Sequence, residues 1–236
     1  MTDYVYWVRG SKHAELAELS IRSVKAVDPE GRCYVYTDDP LLGEVEGAVM
    51  CRWPAGEPAM VANLTAQLRH LQASDPFTKV LFLDADVLLK APFPFASAEL
   101  YPTWRDHIAV QNSVKVGGHI IDTMPYNYGV LGAVSRPATI EAFTWMRQRV
   151  LTMAVPHQHW YGNQFALFEL AGHPSRDATE AVPISWTPAD RAPRLLVHRL
   201  PCEIYNYTPE APGEDVTGKV ALHFKGGRKD LMEAYL

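Results

Sequence analysis

Cysteine is scarce in this 236-residue chain: Cys33, Cys51 and Cys202 stand far apart, odd in number and without Cys-x-x-Cys spacing. That excludes a disulfide framework, argues against a zinc finger and fits a reducing compartment. Excess positive charge is lacking too. With 22 Lys and Arg against 27 Asp and Glu the formal net charge is −5, a poor footprint for gripping a nucleic-acid backbone. No apolar run approaches the roughly 20 residues of a membrane helix. Met1 to Arg9 also lacks the basic, apolar and small-residue order of a signal peptide. These absences predict a cytoplasmic protein without a transmembrane segment. Repeats, heptads and low-complexity segments are missing as well. What is there is 47% hydrophobic residues, over a length suited to one large domain that needs no staples.

The opening reads strand, helix, strand. Tyr4 to Val8 is aromatic and β-branched, Ala14 to Val27 carries apolar residues at helical spacing, and Cys33 to Thr37 is a second short apolar run. Gly10 and Ser11 punctuate the first strand, and Asp38, Asp39 and Pro40 close the second. Polar loops therefore fall at the carboxyl ends of two parallel strands, the edge at which open α/β sheets bind ligands. A helix from about Met60 to Ala73 feeds the densest strand, Lys79 to Leu83, whose wholly apolar character predicts a central position covered on both faces. Beyond it come short strands at His107 to Val110 and Gly129 to Val134, a helix over 137–150, an aromatic loop from His157 to Tyr161, a helix over 163–171 and a Pro-punctuated tail. The pattern predicts a single α/β domain with a central mixed, mostly parallel sheet flanked by helices. Within it, residues 91–236 read as more elaborated than residues 1–90.

The sharpest local feature is Asp84-Ala85-Asp86 at the end of the apolar strand. Two carboxylates two residues apart share one side of an extended chain. Carboxylate oxygens of this kind suit Mg²⁺ or Mn²⁺ and leave positions for phosphate oxygens. The plainer alternative is a polar strand end whose acids cap the next turn.

The segment from Phe82 through Asp84 and Asp86 to Leu89 resembles the DxD strand of GT-A glycosyltransferases. It is most similar to the glycogenin-like and lipopolysaccharide galactosyltransferase-like retaining enzymes of glycosyltransferase family 8. Further segments agree in order. Tyr126-Asn127-Tyr128-Gly129-Val130 is similar to the family's Phe-Asn-Ser-Gly-Val strand, and Asn163-Gln164 to its Asp-Gln segment. Leu200-Pro201 with Tyr205-Asn206 is similar to its Leu-Pro…Tyr-Asn stretch, and His223 through Gly226 to Lys229 to its His-x-x-Gly-x-x-Lys motif. The chain departs from the pattern at Asp230-Leu231, Asn163 and Tyr128, where the family has Pro-Trp, Asp and Ser.

The resemblance implies a metal-dependent transfer of sugar from a nucleoside-diphosphate sugar, a UDP-sugar, to an acceptor hydroxyl with retention. Asp84, Asp86 and His223 would hold Mn²⁺ or Mg²⁺, with Lys229 giving the phosphates a cation, Lys225 and Arg228 near it, and Gly226 letting the backbone approach. Gln164 and Asn127 would face the reacting sugar as amides that both donate and accept. On the donor side the expected residues are Val8, Arg9, Gly10, Asp38 and Ala85, with one of Asn63, Gln67 or Arg69 from the helix before the DxD. Trp104, Tyr126, Tyr128, Trp160 and Tyr161 are candidates for stacking on acceptor rings. An inverting reaction would need a base, for which Asp122 or His157 is available. The acceptor stays open among saccharide, lipid-linked glycan, protein and small molecule, with nucleic acid disfavoured by charge. Two rivals stand beside this reading: a module that binds nucleotide sugar without transferring it, and a haloacid-dehalogenase-like phosphatase using the same acid pair.

Overall fold

The β-branched and aromatic opening forms β1 (Thr2–Trp7), and the amphipathic stretch after Gly10 forms α1 (Ser11–Val27). The chain returns through β2 (Arg32–Thr37) and β3 (Val49–Arg52), then α2 (Ala59–Ala73), β4 (Lys79–Leu83) and the short β5 (Val87–Leu89). Next come β6 (Leu100–Trp104), the pair β7 (Val114–Val116) and β8 (His119–Ile121), and the long β9 (Tyr126–Val134). Pro137 starts α3 (Pro137–Leu151), where its fixed φ costs nothing; α4 (Val155–His159) and α5 (Gly162–Ala171) follow. The chain continues through β10 (Val182–Ile184), β11 (Leu195–Val197), β12 (Leu200–Pro201), α6 (Cys202–Tyr205) and β13 (Ala221–His223) to a 3-10 helix at Gly226–Tyr235. This computed structural model describes residues 1–105, 125–172 and 195–236, and the backbone alone of 114–116, 119–121 and 182–184. The strand expected at His107 to Val110 and the residue Asp122 lie outside the described residues.

The main sheet runs β10-β11-β6-β9-β4-β1-β2-β3, with β12 joining β6 beside this path. Pairing is parallel from β4 through β1 and β2 to β3 and at β11 and β12 with β6, and antiparallel at β4 with β9, β9 with β6 and β10 with β11. The sheet is therefore mixed and mostly parallel, with β4 at its centre, as its apolar sequence requires. Alternation sorts its side chains onto two cores. Tyr4, Tyr6, Leu81 and Leu83 pack on one face with Ile21 and Val24 of α1 and with Met232 and Tyr235 of the final 3-10 helix. Val5, Val80 and Phe82 pack on the other with Val61 and Leu64 of α2 and Phe143 of α3. Each buried aliphatic or aromatic side chain here contributes about 1.5–3 kcal/mol by leaving water.

β9 breaks its own regularity where it reaches the ligand edge. Against β6 its partners jump from Leu131, opposite Pro102, to Asn127, opposite Thr103, so the three residues 128–130 are extra on the β9 side. Its ladder with β4 runs unbroken from Lys79–Val134 to Leu83–Val130. The detour thus starts at Val130, the last residue paired with β4, and continues beyond the end of that strand. Thr103 holds it, with its hydroxyl 2.9 Å from the Asn127 carbonyl and 3.1 Å from that of Val130.

Candidate active site

Two elements meet at the DxD. The Asp84 N–H donates to the Gly129 carbonyl at 2.9 Å, and a tight turn closed by Val87 N–H on the Asp84 carbonyl carries both acids from β4 into β5. β5 pairs antiparallel with β13, which sets His223 opposite Val87, and the Phe224 N–H bonds the Asp86 carbonyl at 2.9 Å. A histidine 137 residues beyond Asp86 is thereby delivered to the acids by strand register. One ligand atom from each of Asp84, Asp86 and His223 lies within 4.8 Å of the others, the only such cluster among the described residues.

The imidazole is oriented from behind. Asn206 Nδ2 donates to Thr103 Oγ1 at 2.8 Å, while Thr103 gives its own proton to a carbonyl. Asn206 therefore turns its Oδ1 to His223 Nδ1, 2.9 Å away, and that nitrogen carries the hydrogen. Nε2 is left facing the acids, 3.2 Å from Asp86 Oδ1 and 3.6 Å from Asp84 Oδ2. A histidine whose second nitrogen is fixed by an amide is the arrangement that sets ligand tautomer and direction in metal sites. Lys229, on the 3-10 helix, places Nζ 2.9 Å from Asp86 Oδ2.

Burial raises the Asp86 carboxyl, but hydrogen bonds and charge from His223 and Lys229 outweigh it and hold Asp86 well below the usual carboxylate range. Asp84, whose side chain is about half exposed at 48%, is pushed the other way by desolvation and by the Asp86 charge, against the pull of His223 and Lys229. The pair thus behaves as one fixed anion with a softer partner.

Gly129 makes the approach sterically feasible. A Cβ at this position would stand 2.2 Å from His223 Cε1 and 2.9 Å from Asp84 Oδ2. Any side chain there would fill the space between histidine and acid.

These groups open into a cleft of about 590 Å³. Of the residues expected from sequence, Asp84, Ala85, Asp86, His223, Gly226, Lys229, Asn127, Gln164, Asn63 and Arg9 line it. Others do not. Val8 is buried in the core, and Gly10, at φ 79°, starts α1 with its N–H on Asp39 Oδ2. Asp38 is buried and takes both oxygens to Arg9, with 2.6 Å at Nε. Arg9 also donates to the Glu57 carbonyl at 3.0 Å and lies over the Trp7 ring at 4.9 Å. Asp38 thus acts on the cleft through Arg9. The three candidates on α2 separate: Asn63 lines the cleft, Gln67 is buried and accepts from the Tyr128 hydroxyl at 2.7 Å, and Arg69 lies over Trp53.

The candidate aromatics divide likewise. Tyr128, Trp160 and Tyr161 line the cleft, Trp160 being exposed; Tyr126 is buried with its hydroxyl on the Gly172 carbonyl, and Trp104 lies outside the lining. The stretch read as an aromatic loop is in fact partly helical. Val155–His159 makes one turn, His157 packs edge-on against Phe165, and Tyr161 takes φ 64° to begin α5 and carry Gln164 to the cleft. Arg228, expected near the phosphate side, pairs with Glu210 and does not line the cleft. Arg105 is a lining residue that no motif signalled, and Asn206 and Gly129 were visible only as members of motifs.

No protein-family model matches the chain, and no curated protein matches its sequence. Solved structures do match it in shape. The galactosyltransferase LgtC, in complex with donor and acceptor sugar analogs, superposes with a TM-score of 0.53 at 14% identity, over 99% of this chain and 95% of that one. A glycosyltransferase involved in glycosylation of the major capsid of PBCV-1 gives 0.55 at 14% identity over 99% of both chains. The bifunctional glycosyltransferase WbbM gives 0.59 at 11% identity, over 99% of this chain and 51% of that one. The fold is therefore that of the GT-A glycosyltransferases. It is the fold that the motif resemblance implied.

Proposed function

We propose that this chain is a metal-dependent glycosyltransferase that moves a sugar from a UDP-sugar to an acceptor hydroxyl with retention at the anomeric carbon. The observation that carries the reading is the meeting of Asp84, Asp86 and His223 within 4.8 Å, beside Lys229, in a cleft at the carboxyl end of β4. The residues fit a hard divalent ion such as Mn²⁺ or Mg²⁺: two carboxylates, an imidazole with Nε2 presented by Asn206, and a glycine that keeps the space clear. When bound, such an ion stabilises the negative charge that develops on a departing diphosphate.

The chain's own residues do the rest. Lys229 supplies a mobile cation to the phosphates and Gly226 an open backbone. Arg9, fixed by Asp38 and Trp7, points a guanidinium into the cleft on the donor side, and Asn63 offers an amide to the sugar. The bond from the anomeric carbon to the diphosphate breaks with its electron pair on the diphosphate. The acceptor oxygen then forms the new bond on the same face, and its proton passes to the departing phosphate oxygen. Among the described residues, the cleft holds no carboxylate besides Asp84 and Asp86, which argues for attack within an ion pair rather than through a glycosyl-carboxylate intermediate. Gln164 and Asn127 then orient the hydroxyls, and Trp160 and Tyr161 offer rings to the acceptor. In this reading residues 1–90 and 91–236 serve as donor and acceptor halves of one domain.

Calorimetric titration of UDP with and without Mn²⁺ tests the proposal. Manganese-dependent binding that Asp86→Ala and His223→Ala each weaken by at least about tenfold is expected, since each removes a ligand. Absence of UDP binding by the wild type with Mn²⁺ present would overturn the donor assignment. Incubation with UDP-sugars then separates transfer from mere binding by product formation. Phosphatase activity without nucleotide would instead identify the rival hydrolase, for which the acids should follow the chain's first strand rather than its fourth.

A further inference from the structure

Thr103 belongs to no motif and does not line the cleft, yet two other segments of the site meet on its hydroxyl. The residue is wholly buried in β6, opposite Asn127, where β9 skips register. Its Oγ1 lies 2.9 Å from the Asn127 carbonyl, 3.1 Å from the Val130 carbonyl and 2.8 Å from Asn206 Nδ2. A hydroxyl has one proton to give, and a carbonyl can only accept. The proton therefore goes to β9, and Thr103 meets Asn206 only as an acceptor. Asn206, 1% exposed, is buried away from water. Its amide is thus held with Nδ2 on Thr103 and Oδ1 on His223 Nδ1, 2.9 Å away.

The reversed order would satisfy the acids and spoil the site. With the Asn206 amide turned over, Nδ2 would face His223 Nδ1, which would have to accept. The ring hydrogen would then sit on Nε2, aimed at Asp86 Oδ1 at 3.2 Å and Asp84 Oδ2 at 3.6 Å. That withdraws the lone pair an ion needs, since a histidine ligates through a nitrogen without hydrogen. What excludes the reversal lies at the far end of the chain of bonds. Asn206 Oδ1 would face a Thr103 oxygen whose proton is already committed to β9, and a buried acceptor set against an acceptor costs free energy. We propose that Thr103 is a positioning residue for the metal site: through Asn206 it fixes which nitrogen of His223 carries the hydrogen, and so keeps Nε2 open to a divalent ion. This rests on the metal reading above and adds to it a residue that touches neither ion nor substrate. Because two carbonyls of β9 impose the direction, the strand that carries Asn127 into the cleft also sets the proton order at the metal ligand.

The test is ring-nitrogen NMR of the metal-free protein carrying isotope-labelled histidine, which distinguishes a nitrogen that bears hydrogen from one that does not. The His223 signals are those missing from His223→Gln. In the wild type, Nδ1 should bear the hydrogen. Thr103→Val keeps the outline of the side chain, removes the hydroxyl and should move the hydrogen to Nε2; Thr103→Ser should leave it on Nδ1. In Asn206→Asp the carboxylate presents an oxygen whichever way it turns, so adding Thr103→Val there should no longer move the hydrogen, an outcome that loss of shape alone would not give. Calorimetry of UDP with Mn²⁺ should show a loss of about tenfold or more in Thr103→Val and of less than about threefold in Thr103→Ser. A wild-type Nδ1 without hydrogen, a hydrogen that stays on Nδ1 in Thr103→Val, or its movement with no loss of affinity would overturn the inference. Thermal unfolding checks each fold, and should Thr103→Val not fold, the wild-type spectrum and Thr103→Ala decide the same question. Failure of the wild type to bind UDP with Mn²⁺ would count against the donor reading instead, because the spectra of the metal-free protein still report the proton order.

Discussion

At the scale of single residues, the site depends on one missing side chain as much as on those present. Gly129→Ala would set a methyl carbon against His223 and Asp84, and overpacking of this kind costs about 1–3 kcal/mol. Here the strain falls on His223 and Asp84, so manganese-dependent UDP binding is expected to fall by at least about tenfold while the melting temperature falls by about 2–12 °C. Equal UDP affinity in the variant, read by calorimetry, would show that the approach is not needed. The acids and His223 were legible in the sequence because their types and order carry the chemistry. Gly129 was legible as a motif letter, but its reason was not: a sequence displays a glycine without displaying the atoms that face it. Arg105 lay hidden because a lone cation after a strand resembles any surface cation. Only the cleft around it marks it out. On α2, spacing alone placed Asn63 and Gln67 on one face and left Arg69 open. The hydroxyl of Tyr128 then takes Gln67 out of the cleft lining, a contact across 61 residues that no local pattern contains.

At the scale of elements, the final 3-10 helix links stability to the site. Read from sequence as a basic segment, it lodges Met232 and Tyr235 in the core beside α1, and Lys90 bonds the Tyr235 carbonyl at 2.7 Å. Lys229 sits one turn earlier on the same helix. Met232→Ala is therefore expected to cost about 3 kcal/mol, or about 6–12 °C of melting temperature for a chain of this size. It should also loosen the Lys229–Asp86 contact, which weaker UDP binding below the melting transition would reveal. Undiminished stability, measured by calorimetric scanning, would show that the helix is only laid against the core. Long elements were read nearly to the residue: the strand at Lys79 to Leu83 and the helices starting near Met60, Pro137 and Asn163. The pairing of the short ones was not. β5 and β13 have three residues each, too few to show a period, and they exist because they pair with one another. That pairing, rather than either sequence, brings His223 to the DxD.

At the scale of the whole molecule, a buried chain of polar groups ties the sheet to α2. The Tyr36 hydroxyl meets His70 Nδ1 at 3.2 Å, His70 Nε2 meets Asp3 Oδ2 at 3.0 Å, and Arg32 Nε donates to Asp3 Oδ1 at 2.7 Å. Burial raises the Asp3 carboxyl, but hydrogen bonds from His70 and Arg32 outweigh it and hold it below its unfolded value of 3.8. A carboxyl depressed in the folded state contributes stability above its unfolded pKa and loses it as pH falls through the folded one. Asp3→Asn should thus cost about 2 kcal/mol at pH 7 by weakening its bonds to buried His70 and half-exposed Arg32. The gap from wild type should narrow below about pH 4, as urea unfolding at several pH values would show. A gap that is constant with pH would rule out this linkage. The α/β class and the parallel opening followed from periodicity. The reversal to antiparallel pairing at β9 and β6 did not, since strand order is decided by contacts between distant segments. The detour in β9 has a consequence for how such a molecule diversifies. Its ladder to β4 runs through Val130, so the register of the sheet is fixed before the chain reaches Asn127, while Tyr128 packs in one core and lines the cleft at once. Register and cleft lining are thereby written in adjoining parts of one strand, and Asn127 is the position where the lining can be exchanged without altering the pairing to β4.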